Sequence, residues 1–120
     1  MHGSEMTQQR RARRRVTFRA NHDVAIHVSD LAKAKEFYSK QLGFKIRSSS
    51  SEQISLDAGA FTLWVNKDSR NRSFIPSFSV TDYEEARRLL EAAACKTVSA
   101  GGTTYFEDPF GFTFDIIEQR

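Results

Sequence analysis

An internal repeat constrains the fold of this chain more than any other feature of its sequence. The segment "VSDLAKAKEFY" at 28–38 is matched by "VTDYEEARRLL" at 80–90, at an offset of 52 residues. Further along, "DAGAFTLWV" at 57–65 is matched by "DPFGFTFDI" at 108–116, at an offset of 51 residues. Two separate matches at nearly one offset predict two copies of a unit about 50 residues long.

Both copies have the same predicted order of elements, β-α-β-β-β. An alternating segment, "VAIHV" or "SFSV", predicts the first strand of each copy. Turn-forming residues then divide the part after each helix into three short strands. We expect these strands near 44–49, 52–57 and 61–66 in the first copy, and near 97–100, 103–107 and 112–118 in the second.

Each predicted helix has an aspartate at its start. Asp30 and Asp82 are suited to cap a helix N-terminus, and Glu85 completes a capping-box pattern in the second copy. Gly43 fits the left-handed position just after the first helix. The apolar stripe predicted for that helix consists of Leu31, Ala34, Phe37, Tyr38 and Leu42.

The repeat and the chain length together predict an α+β fold built from two tandem βαβββ units. A chain of 120 residues is long enough for one ordinary domain, which we place at 21–120. The first repeat covers about 22–66 and the second about 74–118. The polar segment 66–73 joins them, and Pro76 is expected at a strand start or on an edge strand.

The positive charge of the chain is concentrated in an N-terminal arm, which we place at 1–20 and expect to be disordered. Residues 1–19 contain six Arg and one Glu, whereas the remainder contains 12 basic and 14 acidic residues. The segment Arg10–Arg15 suits contact with nucleic acid or an anionic surface. The alternative is a solvated tail that contacts nothing, and "MHGSE" is typical of residues added by an expression vector.

Composition and motifs exclude several classes of protein. The single Cys95 favours a reducing cytoplasm over secretion, and no apolar run is long enough to span a membrane. We therefore expect a cytoplasmic protein without a membrane partner. The sequence contains no glycine-rich phosphate loop, no cysteine pair with zinc spacing and no G-x-S-x-G nucleophile motif.

Two motifs in the body of the chain resemble those of the vicinal oxygen chelate superfamily, which includes glyoxalase I, bleomycin-resistance proteins, fosfomycin-resistance enzymes and extradiol dioxygenases. They are "HVSDLAKAKEFYSKQLGF" at 27–44 and "FEDPFGFTFDI" at 106–116. The resemblance implies that the two units form a cupped mixed sheet with helices on its outer face. It also implies a ligand on the concave face, and a cup that often forms across the interface of a homodimer.

Metal-dependent members of that superfamily have ligands at four matching positions, and two of these carry carboxylates here. The resemblance implies Asp23 and Asp115 as candidate metal ligands. The other two positions hold Trp64 and Ile75, which cannot coordinate a metal through their side chains. A one-residue bulge in the first strand would align His22 with them. We expect no cofactor; the alternative is a divalent ion held by the two carboxylates.

Strand alternation indicates which side chains share the concave face that the resemblance implies. The expected ligand-binding residues are Asp23, His27, Trp64, Asn66, Ile75, Ser77 and Asp115. An indole, an imidazole and carboxylates in one concave site suit an amphipathic or cationic organic molecule. Aromatic stacking supplies contact area there, and the carboxylates supply direction.

Three of these residues also have a structural interpretation. Trp64 is the only tryptophan and would serve equally well as a large core residue. His27 is either a structural residue that donates to a backbone carbonyl or a general base. Asp115 would also fit the solvated face of a strand. The sequence leaves these alternatives open.

Three functions are compatible with these features. The first is a metal-free, homodimeric binding protein of the bleomycin-resistance kind that sequesters a small organic ligand. The second is a divalent-metal-dependent lyase, isomerase or dioxygenase-like enzyme that uses Asp23 and Asp115. The third is a nucleic-acid-associated module whose basic arm makes the contact. The absence of donor side chains at Trp64 and Ile75 favours the first.

Overall fold

The structure, a computed structural model, describes residues 16–119, whose strands form one mixed sheet. The first unit contains β1 (Phe18–Val28), α1 (Leu31–Glu36), β2 (Lys45–Ser49), β3 (Gln53–Asp57) and β4 (Thr62–Lys67). The second contains β5 (Arg72–Val80), α2 (Tyr83–Ala92), β6 (Lys96–Ala100), β7 (Thr103–Glu107) and β8 (Thr113–Glu118). The predicted order of elements is confirmed.

The strand order in the sheet is β2-β3-β4-β1-β5-β8-β7-β6. Within each unit the first strand pairs in parallel with the last one, so that β1 lies beside β4 and β5 beside β8. All other pairs are antiparallel, including the β1–β5 pair that joins the two units. The predicted α+β fold with a mixed sheet is therefore confirmed, and the first strands of both units lie at its centre.

The helix-facing side of the sheet carries two separate apolar cores, one for each unit. In the first unit Leu31, Ala34 and Tyr38 cover a buried cluster of strand residues that consists of Ile26, Ile54, Leu56, Leu63 and Val65. In the second unit α2 covers a cluster that consists of Val16, Val80, Ala86, Leu90, Phe106, Phe114 and Ile116. Because these side chains are used for packing, the opposite face of the sheet is left for polar residues.

Both helix caps form as predicted. The Asp30 carboxylate accepts from the Lys33 amide at 3.0 Å, and the Asp82 carboxylate accepts from the Glu85 amide at 3.0 Å. Gly43 follows the first helix with φ of +75°. No helix within residues 16–119 is long and apolar enough to cross a membrane.

The predicted apolar stripe of the first helix is only partly correct. After α1 the chain continues as a π-helical turn, Phe37–Gln41. A π turn contains more residues than an α-helical turn, so it rotates the side chains that follow. Phe37 and Leu42 are consequently 48% exposed, whereas Leu31, Ala34 and Tyr38 pack against the core.

The folded domain begins earlier in the sequence than predicted, within the segment assigned to the N-terminal arm. Val16 is buried and β1 starts at Phe18, although residues 1–20 were expected to be disordered. The physical reason is apolar burial, since Val16 and Phe18 both pack in the core of the second unit. The rest of the predicted arm, including Arg10–Arg15, lies outside the described residues.

Pro76 is in the interior of β5, not at its start, and β5 is a central strand. The strand tolerates it because the regular pairing with β8 begins one residue later, at Ser77, and the pairing with β1 is irregular between Ala20 and Val24.

The linker between the units is also shorter than predicted, since β4 ends at Lys67 and β5 begins at Arg72.

Candidate ligand-binding site

A cavity of about 190 Å³ lies where the two units meet. We call it the polar cavity. Its walls are formed by Asp23, Val24 and Ala25 of β1, Gln53 of β3, Trp64 and Asn66 of β4, Ile75 and Ser77 of β5, Thr103 and Tyr105 of β7, and Asp115 and Ile117 of β8. Six of the seven expected ligand-binding residues are in this set, and the exception is His27. The walls include residues from both units of the chain.

Asp23 and Trp64 form one side of the polar cavity. β1 and β4 are parallel, and Asp23 pairs with Thr62, two residues before Trp64. This register lets the indole Nε1–H of Trp64 donate to Oδ1 of Asp23 at 2.9 Å. The hydrogen bond orients the ring in the cavity wall and leaves the second oxygen of Asp23 without a contact to the indole. Trp64 is half-buried, so its indole contributes surface to the cavity.

Asp115 lies across the cavity on β8, where it pairs with Ser77 of the neighbouring parallel strand. Burial and, to a smaller extent, the negative charge of Asp23 raise the pKa of Asp115 from 3.8 to about 6, although the Ile116 amide acts in the opposite direction. Within residues 16–119, no Lys, Arg or His side chain forms an ion pair with Asp115. The cavity therefore contains a desolvated carboxylate that has no cationic partner in the described part of the chain.

His27 does not line the polar cavity, contrary to expectation. It is 1% exposed and lies behind Tyr105, with its Nε2 2.8 Å from the tyrosine hydroxyl. Its Nδ1 is 2.9 Å from Oδ2 of Asp68, which also accepts from Nε of Arg72 at 2.9 Å. His27 is thus a buried, hydrogen-bonded residue, as its structural interpretation predicts. Its partners, however, are the side chains of Asp68 and Tyr105 and not a backbone carbonyl.

Tyr105 connects this buried group to the cavity. It is 2% exposed and lines the cavity wall. Burial, followed by the negative charge of Asp115, raises the pKa of its hydroxyl, while the Thr103 and Asn66 side chains act in the opposite direction through hydrogen bonds. In the cavity wall, Nε2 of Gln53 donates to Oδ1 of Asn66 at 2.6 Å.

Ile75 and Ser77 of β5 form the floor between the two carboxylates. Ile75 packs with Tyr105 and Ala100 in a small apolar cluster. The hydroxyl of Ser77 accepts from Nδ2 of Asn21 at 3.0 Å. The same asparagine accepts the backbone N–H of Asp23 at 3.0 Å, so it braces the irregular part of β1 that carries this carboxylate.

A second cavity of about 340 Å³ adjoins the first, and we call it the aromatic cavity. The two cavities share Ile75 and Tyr105. The aromatic cavity is also lined by Val98, Ala100, Phe74 and Phe112, of which the two phenylalanines are 60% and 69% exposed. Apolar side chains this open to water are unusual when they cluster, and clusters of this kind often mark binding surfaces.

The donor set in the polar cavity does not match a protein-bound metal centre. Such a centre usually has about three protein ligands, and the cavity provides two carboxylates, Asp23 and Asp115. His22 does not join them: it is exposed and its Nδ1 lies 3.2 Å from the carbonyl oxygen of Ala60. Within residues 16–119 there is no group of three or more His, Cys, Asp or Glu side chains that could hold a metal ion.

Sequence reasoning missed four polar residues of this region. Three of them are on the third strand of a unit, namely Gln53 on β3 and Thr103 and Tyr105 on β7. Asp68 was assigned to a linker without a role. A signal was present for Tyr105, since it alternates with Thr103 on a strand that was correctly predicted. No local signal connects Asp68 with His27, which is 41 residues away.

One family model matches the chain, and it is described as bleomycin resistance protein-like N-terminal. The match covers residues 22–53, from β1 to the start of β3. No curated protein matches the chain at a significant level of similarity.

Several solved structures share the fold. A variant of homoprotocatechuate 2,3-dioxygenase from B. fuscum has a TM-score of 0.64 and 22% identity, and the match covers 85% of this chain and 33% of that one. The same enzyme from Brevibacterium fuscum in complex with 3,4-dihydroxyphenylacetate gives a TM-score of 0.65, 21% identity and coverages of 85% and 37%. A Mn(II)-bound glyoxalase from Novosphingobium aromaticivorans has a TM-score of 0.61 and 19% identity, and the match covers 85% of this chain and 40% of that one.

The present chain therefore spans about a third of the length of the dioxygenase chains that it matches. At these identities the matches show a shared fold. Two βαβββ units with the same strand arrangement, the family match and these structures together identify the chain as a protein with the vicinal oxygen chelate fold.

Proposed function

We propose that this protein binds a small amphipathic organic cation in the polar cavity and sequesters it without a metal ion. The observation that carries the proposal is the state of Asp115, a desolvated carboxylate with a second carboxylate nearby and no cationic partner among residues 16–119. A buried charge is costly unless it is paired. A cationic ligand would provide the missing charge and would also relieve the repulsion between Asp115 and Asp23.

The remaining walls of the cavity support the same ligand class. Trp64 lines the cavity, and an indole attracts a cation by an interaction that strengthens where water is excluded. The adjoining aromatic cavity, with Phe74 and Phe112, offers apolar surface for the rest of the molecule. A ligand with a cationic head and an apolar body would therefore match both cavities at once, with Ile75 and Tyr105 at the boundary between them.

Binding of 2-phenylethylammonium compared with neutral 2-phenylethanol tests the proposal, because the two probes differ in charge but share their apolar body. We expect the cation to bind at least tenfold more tightly at pH 7.5, since a hydrogen-bonded charge pair in a desolvated site exceeds about 1.4 kcal/mol. Calorimetry measures the affinity. Fluorescence adds a site-specific signal, because Trp64 is the only tryptophan in the chain.

The variant Asp115→Asn removes one cavity charge and is expected to abolish the preference for the cation. Glu52→Gln is the matched control, because it makes the same change in net charge at an exposed position outside the cavity. If the alcohol binds as tightly as the ammonium, or if both variants lose affinity equally, the carboxylates do not determine binding and the proposal is wrong.

A divalent-metal-dependent enzyme is the second candidate, because Asp23 and Asp115 do line the same cavity and a Mn(II)-bound glyoxalase shares the fold. The donor set argues against it. Trp64 and Ile75 occupy the other two positions at which the resemblance places ligands, and neither side chain can coordinate a metal. Two carboxylates would leave a divalent ion coordinated mainly by water and weakly held.

Metal content separates the two candidates. We expect protein purified without chelator, then incubated with Mn²⁺, Ni²⁺ or Zn²⁺ singly and passed through a desalting column, to retain well below one ion per chain by mass spectrometry. Retention close to one ion per chain, together with its loss in Asp115→Asn, would favour the enzyme and direct attention to carbonyl substrates.

A further inference from the structure

Asp68, His27 and Tyr105 form a buried hydrogen-bonded chain that ends at the polar cavity. The imidazole is completely enclosed, and its two nitrogens lie 2.9 Å from Oδ2 of Asp68 and 2.8 Å from the hydroxyl of Tyr105. The backbone of Gly101 covers the ring so closely that a Cβ at that position would lie 3.2 Å from Cε1 of His27. These contacts hold the imidazole in one position between Asp68 and Tyr105.

The direction of these hydrogen bonds follows from the charge of Asp68, the residue at the end away from the cavity. Hydrogen bonds from Arg72 and His27 hold the pKa of Asp68 far below its usual range, so this residue is an ionised carboxylate. A carboxylate only accepts hydrogen bonds, and Nδ1 of His27 must therefore carry a proton and donate it. Arg72 already compensates the charge of Asp68, and a second proton on the imidazole would add an uncompensated positive charge to a buried group.

A neutral imidazole protonated at Nδ1 has a bare Nε2, which accepts from the hydroxyl of Tyr105. The only proton of that hydroxyl then points away from the polar cavity. The two hydrogen bonds of His27 thus run in one direction, from the hydroxyl of Tyr105 in the cavity wall towards Asp68.

We propose that the Asp68–His27 pair is a positioning device that makes the phenol oxygen of Tyr105 a hydrogen-bond acceptor in the polar cavity, so that the cavity selects cations with N–H groups over quaternary ammonium ions. This inference rests on the proposed function. A primary ammonium has three N–H donors to distribute among Asp23, Asp115 and Tyr105. A trimethylammonium head has the same charge and no donor, so it cannot form a conventional hydrogen bond to any of these three residues.

The position of the proton is tested directly in the ligand-free protein. Nitrogen-15 NMR of histidine-labelled protein distinguishes a protonated ring nitrogen from a bare one, and His27 is assigned by elimination with His2→Gln and His22→Gln. We expect a proton on Nδ1 and a bare Nε2. A protonated Nε2 would mean that the imidazole donates to Tyr105 and would overturn the inference, whatever the ligand.

The selectivity is tested with 2-phenylethylammonium and its N,N,N-trimethyl derivative in wild-type protein and in Tyr105→Phe. We expect the primary ammonium to bind more tightly to wild type, and we expect Tyr105→Phe to reduce that ratio roughly tenfold, as is usual for a hydrogen bond to a charged group. The ratio within one variant is insensitive to a general loss of stability. A purely structural role of Tyr105 would weaken both probes equally.

The failures of the two proposals are distinguishable. If wild type binds both cations with the same affinity, or if the ratio is unchanged in Tyr105→Phe, the selectivity is wrong and the cation-binding function stands. If neither cation binds better than 2-phenylethanol, the proposed function fails and the selectivity fails with it.

Discussion

Replacing Asp115 with asparagine is expected to stabilise the ligand-free protein by about 1 to 2 kcal/mol at pH 7.5. The pKa of Asp115 is raised from 3.8 to about 6, which corresponds to roughly 3 kcal/mol of energy unfavourable to the charged form. The expected stabilisation is smaller than this figure, because the carboxylate is partly exposed and water screens its charge. Asparagine retains the shape of the side chain and removes the charge that opposes folding.

The effect has a defined dependence on pH. Between pH 4 and 6 the folded protein keeps the proton on Asp115, whereas the unfolded chain has lost it, so stability falls as the pH rises through this range. Below pH 4 the carboxyl is protonated in both states, so wild type and variant should differ little in their free energy of unfolding. Above pH 6 this difference should reach its full size. Urea denaturation of both proteins at closely spaced pH values measures this difference.

Ligand binding should depend on pH in the opposite sense. A cation requires the ionised carboxylate, so its affinity should fall as the pH drops below 6 in wild type, and this dependence should be absent in Asp115→Asn. Glu52→Gln should show neither effect. If Asp115→Asn instead destabilises the protein by several kcal/mol, the carboxylate has a structural partner and the basis of the proposed function is lost.

Gly101→Ala is expected to destabilise the protein by about 2 to 3 kcal/mol, the larger part of it through close contacts with His27 and Lys67. Gly101 has φ of +55°, a conformation that residues with a Cβ adopt only with strain. The new methyl group would also lie 3.2 Å from the imidazole and 3.2 Å from the carbonyl oxygen of Lys67. The ring cannot retreat freely, because both of its nitrogens are held by hydrogen bonds.

Gly102→Ala is the matched control for this substitution. Gly102 is the next residue and has φ of +80°, and a Cβ there would lie more than 4 Å from every atom of residues 16–119 other than its own chain neighbours. Its replacement should therefore cost only the backbone strain, about 1 kcal/mol. Thermal or urea denaturation of the two variants gives the difference in the free energy of unfolding, which measures the contacts with His27 and with the carbonyl oxygen of Lys67. Equal costs would show that the turn does not constrain the imidazole.

Much of the fold was predictable because its signals are local. The predicted strands agree with the observed ones to within about one residue at most ends, since each is bounded by residues such as Gly59 or the "DPFG" turn that favour chain reversal. Asp30 and Asp82 act within three residues of their own positions. The N-terminal boundary was wrong for the opposite reason, because Val16 is ordered by contacts with residues distant in the sequence.

The polar cavity was predictable only in part. Strand alternation, together with the cup that the family resemblance implies, placed Asp23, Trp64 and Asp115 on a common face, and the structure shows these side chains in the wall of one cavity. His27 satisfies the same alternation, yet a tyrosine 78 residues away separates it from the cavity. Alternation specifies the face of a strand on which a side chain lies, but it does not specify what lies in front of that side chain.

The amino-acid sequence thus determined the repeat, the order of the elements, the helix caps and the two carboxylates on the inner face, because each depends on neighbouring residues or on the period of a strand. Only the tertiary structure decided which residues of the two units line the polar cavity, that Asp115 has no cationic partner among residues 16–119, and that His27 lies between Asp68 and Tyr105. These properties depend on the pairing of β1 with β5 and on contacts between residues 41 and 78 positions apart. Such contacts leave no periodic pattern in the sequence, since they exist only after the strands have assembled.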